Sequence, residues 1–296
     1  MKKIDLTSLD QTARNAGVLG LHVTQHGEDR GVYHWEDECR RNIYSASKSF
    51  TALAVGIAAR EGLLSLDEKL TDAFRDDLEA EPGAYLAQAT VRDLLTMCLG
   101  QEKPILMGAE RPLLQEDDWV RLALRTPWKH APGSVFMYSN AGPYLAGVLV
   151  ERRCGCDLVS YLRPRLFEPM GIRNPTWEHD PLGHIFGAGG LFLTLSELHR
   201  LGVLCLQKGR WADRQLVPES WIEACTGKQV DNGGDGYGYL FWRGKHDSYR
   251  ADGKYGQWSV VFPAVDAVVT VTAWNRNGEA LQALVMDGIY PQLENN

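Results

Sequence analysis

The chain has 296 residues, of which 44% are hydrophobic and 23% charged, and a formal net charge of −7 at pH 7. That length can bury one generous core, but chains above about 250 residues usually divide, so two intimately packed lobes are expected. No apolar run approaches the roughly 20 residues of a membrane helix, and an acidic chain without a Lys/Arg tract argues against nucleic acid. The expected partner is a small-molecule or peptide-like substrate.

Met1-Lys2-Lys3 is followed by Ile4-Asp5-Leu6-Thr7-Ser8, where a secretory leader needs an unbroken apolar stretch of about 7–15 residues. The expected location is therefore cytoplasmic. Gly17 to Thr24 alternates and is β-branched, Gly27 to Arg30 reads as a turn, and Gly31 to Trp35 is aromatic again; this predicts a hairpin. From Ser45, Ala, Leu, Val and Ile recur at helical spacing up to Ala59, and Gly62 supplies a stop. Further helices are predicted over Val91–Met97, Glu116–Arg125, Pro143–Arg153 and Leu158–Phe167. Thr194 with Glu197 forms a capping box for a helix running to Gln207. Strands follow at Tyr237–Trp242, Trp258–Phe262 and Val268–Trp274, and a last helix at about Glu279–Ile289. Strands near both termini, with helices between, predict an α/β (α+β) architecture. One antiparallel sheet with flanking helices would come from residues 1–44 and 188–296, with a mostly helical lobe over residues 45–187.

Ser45-Ala46-Ser47-Lys48 places a hydroxyl and an amine at i and i+3 in the first turn of a helix, on one face. A serine is a poor nucleophile until a neighbour removes its proton, and a lysine can do so only when burial or nearby charge depresses its pKa. The start of a helix also offers free N–H groups to a developing oxyanion. Alone the motif is common by chance, and its bland reading is a capping serine and a solvated lysine. A second feature accompanies it. Tyr138-Ser139-Asn140 is the chain's only Tyr-x-Asn, after the loop Ala131-Pro132-Gly133-Ser134-Val135-Phe136 and directly before a helix.

Ser-x-x-Lys followed about 90 residues later by Pro-Gly-x-x-Phe-x-Tyr-Ser-Asn-x-Gly resembles the serine β-lactamase-like superfamily. That group holds class C β-lactamases, D-alanyl-D-alanine carboxypeptidases, family VIII esterases and 6-aminohexanoate-dimer hydrolases. Gly62 to Asp67, Val91 to Thr96, Leu166 to Gly171 and Gly189-Gly190-Leu191 resemble it too, so the likeness runs from about Gly17 to Trp274. The resemblance implies a β-lactamase/penicillin-binding-protein-like fold and a serine hydrolase. Ser45 would be acylated, Lys48 and Tyr138 would act as general base and acid, and Asn140 would orient Lys48 or the substrate carbonyl.

The family's third motif, Lys-Thr-Gly or His-x-Gly on an edge strand, is not present as such. Aligning the run Gly256-Gln257-Trp258-Ser259 with the strand that follows the motif puts Ala251-Asp252-Gly253 in its place, with Lys254-Tyr255-Gly256 as the other register. Gly253 would let substrate approach, the N–H of Lys254 would complete an oxyanion hole with that of Ser45, and Gln257 is a further orienting candidate. No cationic side chain is evident in the motif. That favours an ester or amide of another kind over a β-lactam or cell-wall peptide. A non-turnover ligand-binding or sensor module on the same fold is the alternative from a different class.

The chemistry calls for no cofactor. Cys154-Gly155-Cys156 lacks a second ligand pair for zinc, and His179, Asp180 and His184 read as a surface turn, so no metal is expected. Asp76, Asp77, Glu79 and Glu81, and likewise Glu116-Asp117-Asp118, read as solvated helix ends. Trp242 and Trp258 either line an apolar pocket or pack in the core.

Overall fold

In the computed structural model, which describes residues 2–276 and 278–295, β1 (Val18–Gln25) and β2 (Glu28–His34) pair antiparallel across His26-Gly27. Both turn residues have positive φ, 51° and 74°, the geometry whose twist matches two flanking strands. The turn is thus shorter than the sequence suggests.

Helix α1 (Ser47–Arg60) follows a single tight turn at Tyr44–Ala46. Every residue from Ser47 to Ala58 is buried, the pattern of a helix enclosed on all sides rather than one with a wet face. It ends where Gly62 adopts φ 72°. The predicted helix after Thr90 is a short 3-10 segment, Val91–Leu95, begun by a reciprocal Thr90–Asp93 cap. Helices α2 (Trp119–Arg125), α3 (Ala141–Cys154) and α4 (Leu158–Leu162) come next, α4 running on into a π-helical turn at Arg163–Phe167. Asp118 caps α2 through the Arg121 N–H, so that helix starts later than expected. Asp77 departs from the expected solvated helix end: it is buried and takes both terminal nitrogens of Arg152 at 2.5 and 2.9 Å.

Helix α5 (Leu195–Leu206) opens on the predicted box, Glu197 N donating to Thr194 Oγ1 at 3.2 Å and Thr194 N to Glu197 Oε2 at 3.0 Å. Helix α6 (Glu219–Thr226) leads to β3 (Trp242–Arg243), β4 (Tyr249–Gly253), β5 (Gln257–Phe262) and β6 (Ala267–Ala273). The expected strand over Tyr237–Trp242 does not form. Gly238 sits against the Cys225 carbonyl, the Tyr239 and Leu240 N–H groups go to Cys225 O and Leu95 O, and Leu240 has φ 61°. Those backbone groups are spent on helix ends and loops, so only Trp242 and Arg243 join the ladder.

The sheet is antiparallel throughout, in the order β2-β1-β6-β5-β4-β3. Every residue of β5 and β6 is buried, because the sheet is covered on both faces. Val261 and Val268 belong to the main core, while Val260, Phe262, Val269 and Val271 face a second core closed by the chain's last helical segment, Gly278 to Glu294. That arrangement fixes β4 beside the turn that begins α1. Among the described residues, no helix is long and apolar enough to cross a membrane.

Candidate active site

Ser45 lies in the turn before α1, held by its neighbours. Ser47 Oγ donates to the Tyr44 carbonyl at 2.6 Å and accepts from Leu191 N at 3.1 Å, and Asn42 Oδ1 accepts from Tyr44 N at 2.7 Å. Lys48, one turn on, is 1% exposed. Its Nζ is 2.9 Å from Ser45 Oγ, 2.7 Å from Asn140 Oδ1 and 2.6 Å from the Ala188 carbonyl. Two of these partners are carbonyl oxygens, which can only accept. A neutral amine would spend both hydrogens on them and turn its lone pair toward the serine.

The electrostatics point the same way. Burial, with Arg111 adding to it, holds Lys48 well below the ordinary lysine range. Tyr138 is pushed far above the usual phenol range by burial, with Ser45 opposing the rise and Asp252 adding to it. Its ring stacks on Trp242 at 5.6 Å, and Lys48 Nζ lies 5.0 Å from the ring centre. Asn140 also donates Nδ2 to the Leu106 carbonyl at 2.8 Å. Ser139 works in the loop's frame, accepting from Ile105 N and Ala141 N at 3.2 and 3.3 Å.

Ser45, Tyr138, Asn140 and Lys254 line one cavity of about 730 Å³, together with Tyr44, Arg111, Glu178, Phe186, Trp242, Arg250, Asp252, Tyr255 and Trp274. Cavities of that size accommodate small organic ligands. Strand β4 ends at Gly253, paired with Gln257, and Lys254–Gly256 make the hairpin turn. Ala251-Asp252-Gly253 is therefore the strand segment that flanks the serine.

Three expectations change here. Gln257 does not face the cavity: it is buried in β5 and donates Nε2 to the Ala273 carbonyl at 2.6 Å, because the pleat at the strand's first residue turns it inward. Gly253 is also not a window for substrate. A Cβ there would stand 2.0 Å from the Ile43 carbonyl, so the missing side chain lets β4 close on the backbone leading to Ser45. Thirdly, the motif does have a cation nearby. Arg250, two residues before Asp252 on the same strand face, lines the cavity with its Nε 2.9 Å from Asp252 Oδ2.

Of the two tryptophans singled out, Trp242 lines the cavity and Trp258 packs in the second core under the Arg250 guanidinium. Asp180 is not part of a bare surface turn: it is buried and accepts from Tyr144 Oη at 2.5 Å, while His184 Nδ1 meets Glu151 Oε2 at 2.9 Å. The six cysteines are free thiols. Sequence reasoning missed Arg111 and Glu178, 3.3 Å apart across the cavity wall with the guanidinium 4.0 Å above the Phe186 ring. A charged pair brought together from two loops has no local signature; the glycine at position 190 was the available signal, since a Cβ there would strike the Glu178 side chain at 2.5 Å.

Residues 10–287 match the protein family described as Beta-lactamase. Monacolin J acid methylbutanoyltransferase of Aspergillus terreus is 30% identical over 164 residues, 47% of this chain and 38% of the relative, so less than half of that relative's length is matched. A solved structure described as a 6-aminohexanoate-dimer hydrolase from Bacillus anthracis superposes with a TM-score of 0.79 at 19% identity, over 97% of this chain and 81% of the other. A penicillin-binding protein from Bacillus halodurans gives 0.76 at 19% identity over 94% and 98%. At such identities the two structures show a shared fold.

Proposed function

The chain belongs to the beta-lactamase family, and on that premise we propose that it cleaves an ester or amide through an acyl-enzyme on Ser45. The observation that carries the reading is Lys48 Nζ, buried and 2.9 Å from Ser45 Oγ with two carbonyl acceptors behind it. Lys48 takes the serine proton as the nucleophile attacks, Tyr138, its phenol protonated, gives its proton to the leaving group, and Lys48 then hands its proton to the phenolate, which restores the neutral amine and the phenol before deacylation. The N–H groups of Ser45 and Lys254 receive the oxyanion. Attack by water then regenerates the serine, with Lys48 again the base.

The two arginines of the cavity wall are paired, Arg111 with Glu178 and Arg250 with Asp252, while Lys254, just past the end of β4, has its Nζ 4.9 Å from the centre of the Tyr255 ring. The segment Ala251-Asp252-Gly253, which stands in the place of the third motif, carries no cation and its neighbour Arg250 is already partnered, which favours an ester or a neutral amide over a β-lactam or a D-alanyl peptide. The curated relative supports a second reading, in which an alcohol replaces water and the acyl group is transferred rather than hydrolysed. A sensor that acylates once is the reading from another class.

The deciding experiment follows a short-chain chromogenic ester by absorbance and the protein by intact mass, in wild type and Ser45→Ala. Turnover that vanishes in the variant, with a transient acyl mass on the wild type, is the expected result. Equal turnover in both proteins defeats the proposal, a persistent acyl mass favours the sensor, and faster product release on adding alcohols favours transfer.

A further inference from the structure

Two bulky residues beside Ser45 have left-handed backbones. Tyr44, its immediate neighbour, has φ 48°, and Tyr255, in the β4–β5 turn, has φ 68°. Such values are rare for aromatic residues and cost energy that the surrounding structure must offset; they cluster at functional sites. Each tyrosine is held there by backbone bonds: Asn42 Oδ1 accepts from Tyr44 N at 2.7 Å, and the Tyr255 carbonyl accepts from Asn275 N at 2.9 Å. The outcome is a continuous run of rings. Tyr44 meets Tyr255 edge-on at 5.3 Å, and Tyr255 lies 4.2 Å from Trp274 at an interplanar angle of 31°. All three line the cavity that holds Ser45.

Trp274 is 55% exposed, although it directly follows a strand whose residues are all buried. Core packing therefore does not account for it. An exposed indole packed on Tyr255, which Tyr44 in turn meets edge-on, leaves the outer face of Trp274 as an apolar surface at the mouth of a cavity whose arginines are paired and whose Lys254 ammonium lies near the Tyr255 ring. Such a surface gains most from a ring that can stack or pack edge-on.

We propose that Tyr44, Tyr255 and Trp274 form an aromatic shelf that takes an aromatic or flat apolar ring carried next to the scissile bond of the substrate. This specifies the substrate class of the proposed Ser45 chemistry and rests on that reading for the position of the bond. Trp274 offers the ring its open face, and the two tyrosines behind it hold that face beside the nucleophile's turn.

The test separates recognition from chemistry. In Ser45→Ala, ligand-observed NMR titrations would give dissociation constants for benzyl acetate and ethyl phenylacetate, which carry the ring on the leaving-group and acyl sides, and for pentyl acetate. At least one aromatic ester is expected to bind about tenfold tighter than pentyl acetate, the scale of one good ring contact. Adding Trp274→Ala should remove that preference and Trp274→Phe should keep most of it. Because Trp274 is exposed, a thermal melt can confirm that the fold is retained. No preference for either ring, or a preference that survives Trp274→Ala, overturns the shelf. Continued turnover by Ser45→Ala would instead overturn the serine reading, and the ring preference would still be decided by Trp274.

Discussion

Asn140 Oδ1 accepts from Lys48 Nζ at 2.7 Å, at the N-terminal edge of α3 and opposite the α1 turn that carries the lysine. A neutral amide there orients the amine and stabilises its charge far less than a carboxylate would. Asn140→Asp would keep the shape and add an anion, which favours protonated Lys48 and raises its pKa. If Lys48 is the base, activity appears as it deprotonates, so the acid limb of the kcat/KM profile should move to higher pH by about 1–3 units. The check is the pH profile of both proteins with one chromogenic ester; an unmoved limb would sink this role for Lys48.

Lys48→Ala and Tyr138→Phe should each lower turnover by about 100-fold or more with folding intact, the usual scale for a lost general base or acid. Truncating Lys48 also leaves the Ala188 carbonyl and Asn140 Oδ1 without their amine, so its thermal melt must accompany the rate. Near-normal rates in both variants would refute the mechanism.

The parts of the fold legible in the sequence were those written in local pattern: the β1–β2 hairpin, the enclosed α1, the Thr194–Glu197 cap and the strands β5 and β6. Ser45, Lys48, Tyr138 and Asn140 carried spacing and resemblance, and they meet in the structure. The strand expected at Tyr237–Trp242 failed because aromatic and β-branched content says nothing about where backbone N–H groups go, and here they go to Cys225 and Leu95. Gln257 was misread because facing a cavity or a core depends on which side of the pleat a residue falls. Arg111, Glu178 and Trp274 belong to no motif and come together only through the tertiary fold.

Gly253 offers a test of how β4 is seated. With the Cβ position 2.0 Å from the Ile43 carbonyl, Gly253→Ala must push the strand away from the turn holding Ser45. The expected cost is about 1–3 kcal/mol of stability, as for other overpacked sites, with a larger loss of activity because Lys254 N–H moves too. Gly83→Ala is the control: its Cβ would meet nothing within 4 Å, and denaturant unfolding should find it within about 0.5 kcal/mol of wild type. Equal stability of the two variants would show that the close approach is not tight.

Far from the site, His199 of α5 stacks on His22 of β1 with ring centres 3.7 Å apart. His199 is 3% exposed, and both its ring nitrogens are engaged, Nε2 with Thr24 Oγ1 at 3.0 Å and Nδ1 with Thr270 Oγ1 at 2.9 Å. Burial holds His199 well below the usual histidine range, with His22 and Arg200 adding to it. Burial lowers His22 as well, assisted by His34 and Lys3 and opposed by Asp29 and Glu38. Both histidines bind protons less readily folded than unfolded. As pH falls below about 6.5, the unfolded chain takes up protons that the folded one refuses, and stability must decline until the folded groups titrate. His199→Gln keeps a donor and an acceptor but cannot titrate. Its melting temperature should fall less between pH 7 and pH 5 than that of wild type, by about 2–4 °C, the effect of about 1 kcal/mol in a chain of this size. Parallel melting curves across that window would place the acid sensitivity elsewhere.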